Sequence, residues 1–209
     1  MRTTILLGII LALVSGGLNA QGARKNEAMI GLGVTFPKEK DPLNVLGEAE
    51  MPTSLIGNVG YRRYVSELAA IGLRAYGTVN TLSDYTVTST SNPTLRTTDF
   101  SLTTYNIGCE GLLLLAEDGH SRPYLSLMVL YSAGVLRNQE LGNLRYQGAL
   151  WGIGLGLRID LSKTTALSLE GLGCFGSAKW EKKPFVNSIS DEYNPSTITF
   201  TASLSFSFR

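Results

Sequence analysis

Hydrophobic and polar residues alternate with a period of two along most of this chain. Between Ile153 and Ile159, for example, Ile or Leu stands at every second position, with Gly or Arg between. Successive side chains of a β-strand point to opposite faces, so this pattern predicts strands with one apolar and one small or polar face. Eight such segments occur: Glu27–Phe36, Leu55–Arg62, Ala69–Asn80, Ser101–Leu115, Pro123–Val135, Ala149–Leu161, Thr165–Gly176 and Thr197–Phe208.

The connections between the predicted strands alternate between short and long. Each strand has about the ten residues that a tilted strand needs to cross a bilayer. The pattern therefore predicts an all-β, eight-stranded antiparallel up-and-down transmembrane β-barrel whose apolar face meets lipid. A water-soluble barrel or sandwich is the alternative, with the apolar face turned inward. The predicted short turns are Val65–Glu67, Glu117–Ser121 and Ser162–Thr164; the long loops are Pro37–Pro52, Leu82–Asp99, Arg137–Tyr146 and Ser177–Pro195.

The non-apolar face of these strands favours the membrane alternative. It is rich in Gly, Ser and Thr and carries few charges, which is unlike an ordinary solvated surface. Unpaired charges in a narrow lumen would be costly, so we expect the charged residues there to form a connected network, with Arg74 beside Glu110. The predicted lumen network consists of three bases and three acids: Arg62, Arg74, Arg158, Glu110, Asp160 and Glu170.

The N-terminus has the features of a secretory signal peptide. Arg2 precedes an apolar run from Ile5 to Val14, and small residues lead to a cleavage position after Ala20. The apolar run has about half the length of a membrane-spanning helix. We therefore predict a cleaved signal peptide at residues 1–20 and an outer-membrane β-barrel at residues 21–209; a buried N-terminal strand or helix is the alternative.

Four stretches of the sequence resemble the small outer-membrane β-barrel family that includes the OmpA transmembrane domain and OmpX. The resemblance implies an integral barrel of the bacterial outer membrane, inserted by the barrel assembly machinery. The sequence departs from the family by placing Ser126, Met128 and Leu130 where inward glycines are usual, and these bulkier groups suggest a plugged lumen. The four stretches are Gly60–Tyr64 leading into Ala69–Gly77, Arg122–Leu125, Gly152–Arg158 leading into Leu167–Glu170, and the C-terminal alternating strand.

Residues for catalysis or metal binding are scarce. Barrel enzymes of the outer membrane generally use a histidine base, and the only histidine, His120, lies in a predicted short turn. Cys109 and Cys174 fall on opposite faces of non-adjacent strands, which predicts two free thiols and no tetrahedral metal site. We therefore expect no catalytic residues, no metal and no cofactor.

The sequence leaves three functions open. The first is a non-enzymatic barrel that contributes to envelope integrity or surface interaction through four long extracellular loops. The second is a narrow pore or an accessory subunit of an outer-membrane transport or secretion assembly, and the third is an enzyme that modifies outer-leaflet lipid. Expected partners are outer-membrane lipids, lipopolysaccharide and possible envelope proteins. A balance of 18 Lys and Arg against 17 Asp and Glu argues against nucleic acid.

Overall fold

Strands make up all of the regular structure that the computed structural model describes. It covers residues 26–38, 52–89, 92–116, 119–138, 142–181 and 192–208, with the backbone only at 82–99, 138 and 142. In this part of the chain, no helix has the length and apolar character needed to cross a membrane. The strands are β1 (Asn26–Pro37), β2 (Ser54–Tyr64), β3 (Ala69–Ser89), β4 (Asn92–Leu114), β5 (Ser121–Asn138), β6 (Gly142–Asp160), β7 (Thr165–Trp180), β8 (Glu192–Tyr193) and β9 (Thr197–Phe208).

The strands close into a barrel. Each strand from β1 to β7 pairs antiparallel with its chain neighbours, and β9 pairs with both β7 and β1. The two-residue β8 only extends the pairing at the end of β7. The predicted eight-stranded antiparallel barrel is thus confirmed. We call the end that holds the connections at 65–68, 115–120 and 161–164 the turn end, and the opposite end the hairpin end.

The register of the barrel fixes the tilt of its strands. Starting at Glu27 and moving from partner to partner once around the barrel, the path returns to β1 at Pro37, ten residues farther along. A stagger of this size over eight strands inclines them by about 40° to the barrel axis. Residues at one height therefore lie on a line that crosses the strands obliquely.

The apolar face points outward, as predicted. On β6 the side chains of Ile153, Leu155 and Leu157 are 55%, 64% and 37% exposed, whereas Gly154 and Arg158 are buried in the lumen. The same alternation holds on the other strands and produces a continuous surface of exposed aliphatic side chains, the apolar belt. Exposed aromatic residues lie toward both ends of the belt: Phe36, Tyr131, Trp151, Phe175 and Phe200 toward the hairpin end, and Tyr61, Phe206 and Phe208 toward the turn end.

Two of the four long-loop predictions are wrong, because most of their described residues belong to strands. Residues 82–89 and 92–99 continue β3 and β4 into a hairpin, and β5 and β6 pair as far as Asn138 and Gly142. Antiparallel pairing continues there, with register irregularities between Leu82 and Tyr85 and between Val87 and Ser89. Cross-strand backbone hydrogen bonds do not depend on side-chain polarity, so the hairpins can continue beyond the apolar pattern. In the predicted loop at 177–195, Ser177 to Trp180 belong to β7 and two residues form β8. Most of the predicted loop at 37–52 lies outside the described residues.

Two further predictions concern the cysteines and the signal peptide. Cys109 is exposed on β4, Cys174 is buried on β7, and both are free thiols, which confirms the unpaired state. The predicted signal peptide at residues 1–20 lies outside the described residues.

Candidate functional site

The lumen at the turn end contains a chain of alternating acids and bases, which we call the ion network. Its eight members follow one another through seven ion pairs, and the four acids balance the four bases. Seven of the eight spanning strands contribute to it, because inward-facing positions recur at every second residue of each strand. In order of contact the members are Glu170, Arg74, Glu110, Arg62, Glu27, Arg158, Asp160 and Arg122.

Glu110 accepts three hydrogen bonds from two arginines of the ion network. Arg62 donates to it through two nitrogens, from Nε to Oε2 at 2.7 Å and from Nη2 to Oε1 at 2.9 Å. Arg74 Nη1 donates to Glu110 Oε1 at 2.9 Å and to Glu170 Oε2 at 2.6 Å. Ser126 Oγ donates to the other oxygen of Glu170 at 2.7 Å. The contact of Arg62 with Glu110 uses two nitrogens and two oxygens, and such contacts are the strongest and most directional hydrogen bonds that arginine forms.

Glu27 joins the two halves of the ion network. Its carboxylate is fully buried and accepts hydrogen bonds from Arg62 Nη1 at 3.5 Å and from Arg158 Nη1. Arg158 also donates to Asp160 at 2.9 Å, and Arg122 donates to Asp160 at 2.5 Å. The Arg122 and Asp160 side chains are 19% and 27% exposed. The ion network therefore runs from a partly hydrated mouth at the turn end to a dry interior.

Aromatic rings lie beside three of the guanidinium groups. The Arg74 Cζ atom is 4.9 Å from the centroid of the Tyr76 ring, and Arg62 and Arg158 lie 5.9 and 5.8 Å from the rings of Tyr124 and Tyr64. Desolvated contacts of this type contribute about 1–2 kcal/mol each. They also fill the space around the charges, which keeps water from the ion pairs.

The six residues predicted for the lumen all lie in the ion network, but the sequence analysis missed two members. These two members are Glu27 and Arg122. Glu27 lies two residues before the inward-facing Met29, and Arg122 lies two residues before the inward-facing Tyr124, so each points into the lumen. Without Glu27, the pair Arg158–Asp160 would be separate from the other four predicted residues. The alternation of inward and outward positions, extended to the first residues of β1 and β5, is the signal that predicts both.

The interior part of the ion network, past Arg122 and Asp160, is dry. Water has almost no access to the inner wall there, because every spanning strand supplies a side chain that is at most 6% exposed. The described residues therefore leave no continuous water path through this layer. The eight side chains are Glu27, Arg62, Arg74, Glu110, Ser126, Arg158, Glu170 and Ser205.

Apolar side chains fill the lumen on the hairpin side of the ion network. Met128 and Leu130, predicted to obstruct the lumen, are both 2% exposed. Beyond this apolar plug is a narrow cavity whose described lining has no charged side chain. Tyr146, Trp180 and Tyr193 then pack with ring centroids 4.8–5.6 Å apart. The apolar plug comprises Ile56, Tyr76, Met128, Leu130, Leu150, Leu172 and Cys174.

The geometry offers little for chemistry. Among the described residues, no three His, Cys, Asp or Glu side chains lie close enough to hold a metal ion. His120 is exposed at the turn end, where its carbonyl oxygen accepts a hydrogen bond from Asp160 N at 2.8 Å. Each acid of the ion network is held by arginine. The arrangement is suited to closing and stabilising the lumen.

Comparison with known proteins supports this fold. No protein-family model matches the sequence, and no curated protein is similar to it in sequence. Among solved structures, OprG from Pseudomonas aeruginosa matches with a TM-score of 0.63 at 8% identity, over 91% of this chain and 98% of that one. Neisserial surface protein A matches with a TM-score of 0.57 at 10% identity, over 88% and 97%.

A third structure is Ail, the attachment invasion locus protein of Yersinia pestis, in complex with the heparin analogue sucrose octasulfate. It matches with a TM-score of 0.55 at 12% identity, over 88% of this chain and 99% of that one. At such identities the likeness concerns the fold. The chain therefore has the fold of the small eight-stranded outer-membrane barrels, of the OmpA and OmpX type.

Proposed function

We propose that this protein is a non-conducting, non-enzymatic barrel of the bacterial outer membrane that acts in envelope integrity or surface interaction. The observation that carries the proposal is the combination of a dry lumen with an outward apolar belt. A channel needs a water path, whereas a structural or adhesive barrel needs only the belt and an exposed end. On this proposal residues 1–20 direct export, and outer-membrane lipids surround the belt.

The hairpin end is the part that we expect to act outside the cell. β3 and β4 have 21 and 23 residues, against 12 and 11 for β1 and β2. At about 2.5 Å of height per tilted residue, β3 and β4 rise about 50 Å, well beyond a 30 Å hydrocarbon layer. They would present a paired sheet to the surroundings, and the turn end would face the periplasm.

Two measurements test the proposal. An epitope inserted after Ser89, in the tip between β3 and β4, should be detected by antibody on intact cells, whereas the same epitope inserted after Glu67 at the turn end should require permeabilised cells. The purified protein in planar bilayers should show no ion conductance. Antibody access to the Glu67 insertion on intact cells would reverse the orientation, and steady conductance would favour the narrow pore.

A further inference from the structure

Three exposed cations lie on the outer face of adjacent strands near the hairpin end. Arg137 is on β5, Arg145 on β6 and Lys179 on β7, and all three side chains are exposed. Each has the outward parity of the apolar belt. Among the residues that the structure describes, none forms an ion pair or a side-chain hydrogen bond with any of the three. We call them the cation row.

The stagger of the barrel brings the cation row to nearly one height. Arg137 pairs with Asn143, and Arg145 lies two residues nearer the turn end. Glu181 N donates to Arg145 O at 2.8 Å, and Lys179 again lies two residues nearer the turn end. The path of paired residues rises ten residues toward the hairpin end over eight strands. On each next strand, the residue at the same height therefore lies about 1.25 residues nearer the turn end than the paired residue. The cation row therefore departs from horizontal by only about 4 Å over three strands.

The cation row lies just beyond the apolar belt. Tyr131, Trp151 and Phe175, on the same three strands, are exposed and lie six, six and four residues nearer the turn end. Tyr131 donates its hydroxyl hydrogen to Gln147 Oε1 at 2.7 Å, so polar partners begin directly past these rings. The backbone of the cation row is about 10–15 Å past the rings, and long basic side chains extend back toward a membrane surface.

Two acids near the cation row lie on its far side. Glu181 is opposite Arg145, and Glu192 is opposite Lys179. A residue on the next strand lies about 1.25 residues nearer the hairpin end than the residue it pairs with. Each acid is therefore about 3 Å farther from the apolar belt than the cation opposite it. A negative group that approaches from the membrane side meets the cations first. The charges are thus arranged for a lipid headgroup.

We propose that the cation row binds the phosphate groups of an anionic glycolipid in the leaflet around the hairpin end. The inference rests on the proposed function, since it requires this end to lie in a lipid leaflet. Neighbouring cations are about 6–8 Å apart around the barrel, so the row spans about 14 Å and suits a headgroup with two or more phosphates. The lipid site is therefore confined to the β5–β7 side of the barrel.

The test uses the full-length protein in a neutral detergent, titrated with bisphosphorylated lipid A, with bound lipid counted by native mass spectrometry. The variant Arg145→Gln/Lys179→Gln removes two cations of the row. The matched control Arg63→Gln/Lys163→Gln removes two exposed cations at the turn end. Each lost cation should weaken binding about fivefold, so the row variant should bind about 25-fold more weakly, and the control should bind like the unmodified protein. Unheated gel mobility checks that both variants fold.

Three results would overturn the proposal. The first is equal binding by the row variant and the control. The second is undiminished binding of lipid A that lacks both phosphates. The third is equally tight competition by soluble sucrose octasulfate, which would assign the cation row to a soluble polyanion instead of a lipid. Since the titration is done in detergent, its outcome is independent of the epitope and conductance measurements that test the proposed function.

Discussion

Replacing Glu110 with Gln should destabilise the barrel strongly. The substitution keeps the size of the side chain but removes the charge that holds Arg62 and Arg74 through three hydrogen bonds of 2.7–2.9 Å. Glu110 is 3% exposed and both arginines are 1% exposed, so water cannot replace the lost partner. Removing one partner of a buried ion pair costs about 3–5 kcal/mol, and we expect a loss of this size in the free energy of unfolding.

The measurement is reversible urea unfolding in lipid vesicles. Trp151, which is 54% exposed in the apolar belt, reports lipid contact by fluorescence, and unheated gel mobility reports the closed barrel. Glu67→Gln, an exposed acid in the β2–β3 turn, is the control and should change stability by no more than about 0.5 kcal/mol. A loss below about 1 kcal/mol for Glu110→Gln would refute the account, since the lumen would then be hydrated enough to compensate.

A double substitution separates lost charge balance from lost packing. Arg74→Met added to Glu110→Gln removes a base together with the acid and restores neutrality in the lumen. Because the two residues are in direct contact, their effects should not add. The double variant should lose less stability than the sum of the single variants, measured in the same vesicles. Strict additivity would show that the two side chains act independently.

Three further predictions concern the packing inside the barrel, the apolar belt and the two thiols. Gly134→Ala should lower the free energy of unfolding by about 1–3 kcal/mol, because a Cβ there would lie 2.2 Å from the ring of Tyr146, which the rings of Trp180 and Tyr193 hold in place. Leu155→Arg should lower it by about 2–4 kcal/mol if that face meets lipid at the bilayer midplane, and no loss in the same vesicle assay would argue against the membrane face. A membrane-soluble maleimide should label Cys109 in the folded barrel and leave Cys174 unmodified until unfolding, as read by mass spectrometry.

The sequence predicts the strands and their faces well because alternation is a local signal. The parity of Leu155 and Arg158 can be read from neighbouring residues alone, and closure then places the polar face in a lumen. The contact of Arg74 with Glu110 follows because the two residues face inward on adjacent strands, at similar heights above the predicted short turns. Such inferences depend only on chain order and on the period of the strand.

The sequence predicts less where long-range geometry decides the outcome. The hairpins at 82–99 and 137–146 lack a strong apolar pattern, so their backbone pairing cannot be read from hydrophobicity. The contact of Glu170 with Arg74 joins β7 to β3 across the lumen, and that of Glu27 with Arg158 joins β1 to β6. Both depend on the ten-residue stagger, which becomes known only when the barrel closes.

The ion network also requires the diameter of an eight-stranded barrel. Barrels can enlarge by duplication of a hairpin, and the diameter grows roughly in proportion to the strand number. Ten strands would widen this barrel by about a quarter and separate Arg74 from Glu170, which now meet at 2.6 Å. A duplicated hairpin would thus leave several buried charges without partners at once. The sequence and length of the hairpin end can therefore diverge in evolution, whereas the number of strands cannot change without disrupting the ion network.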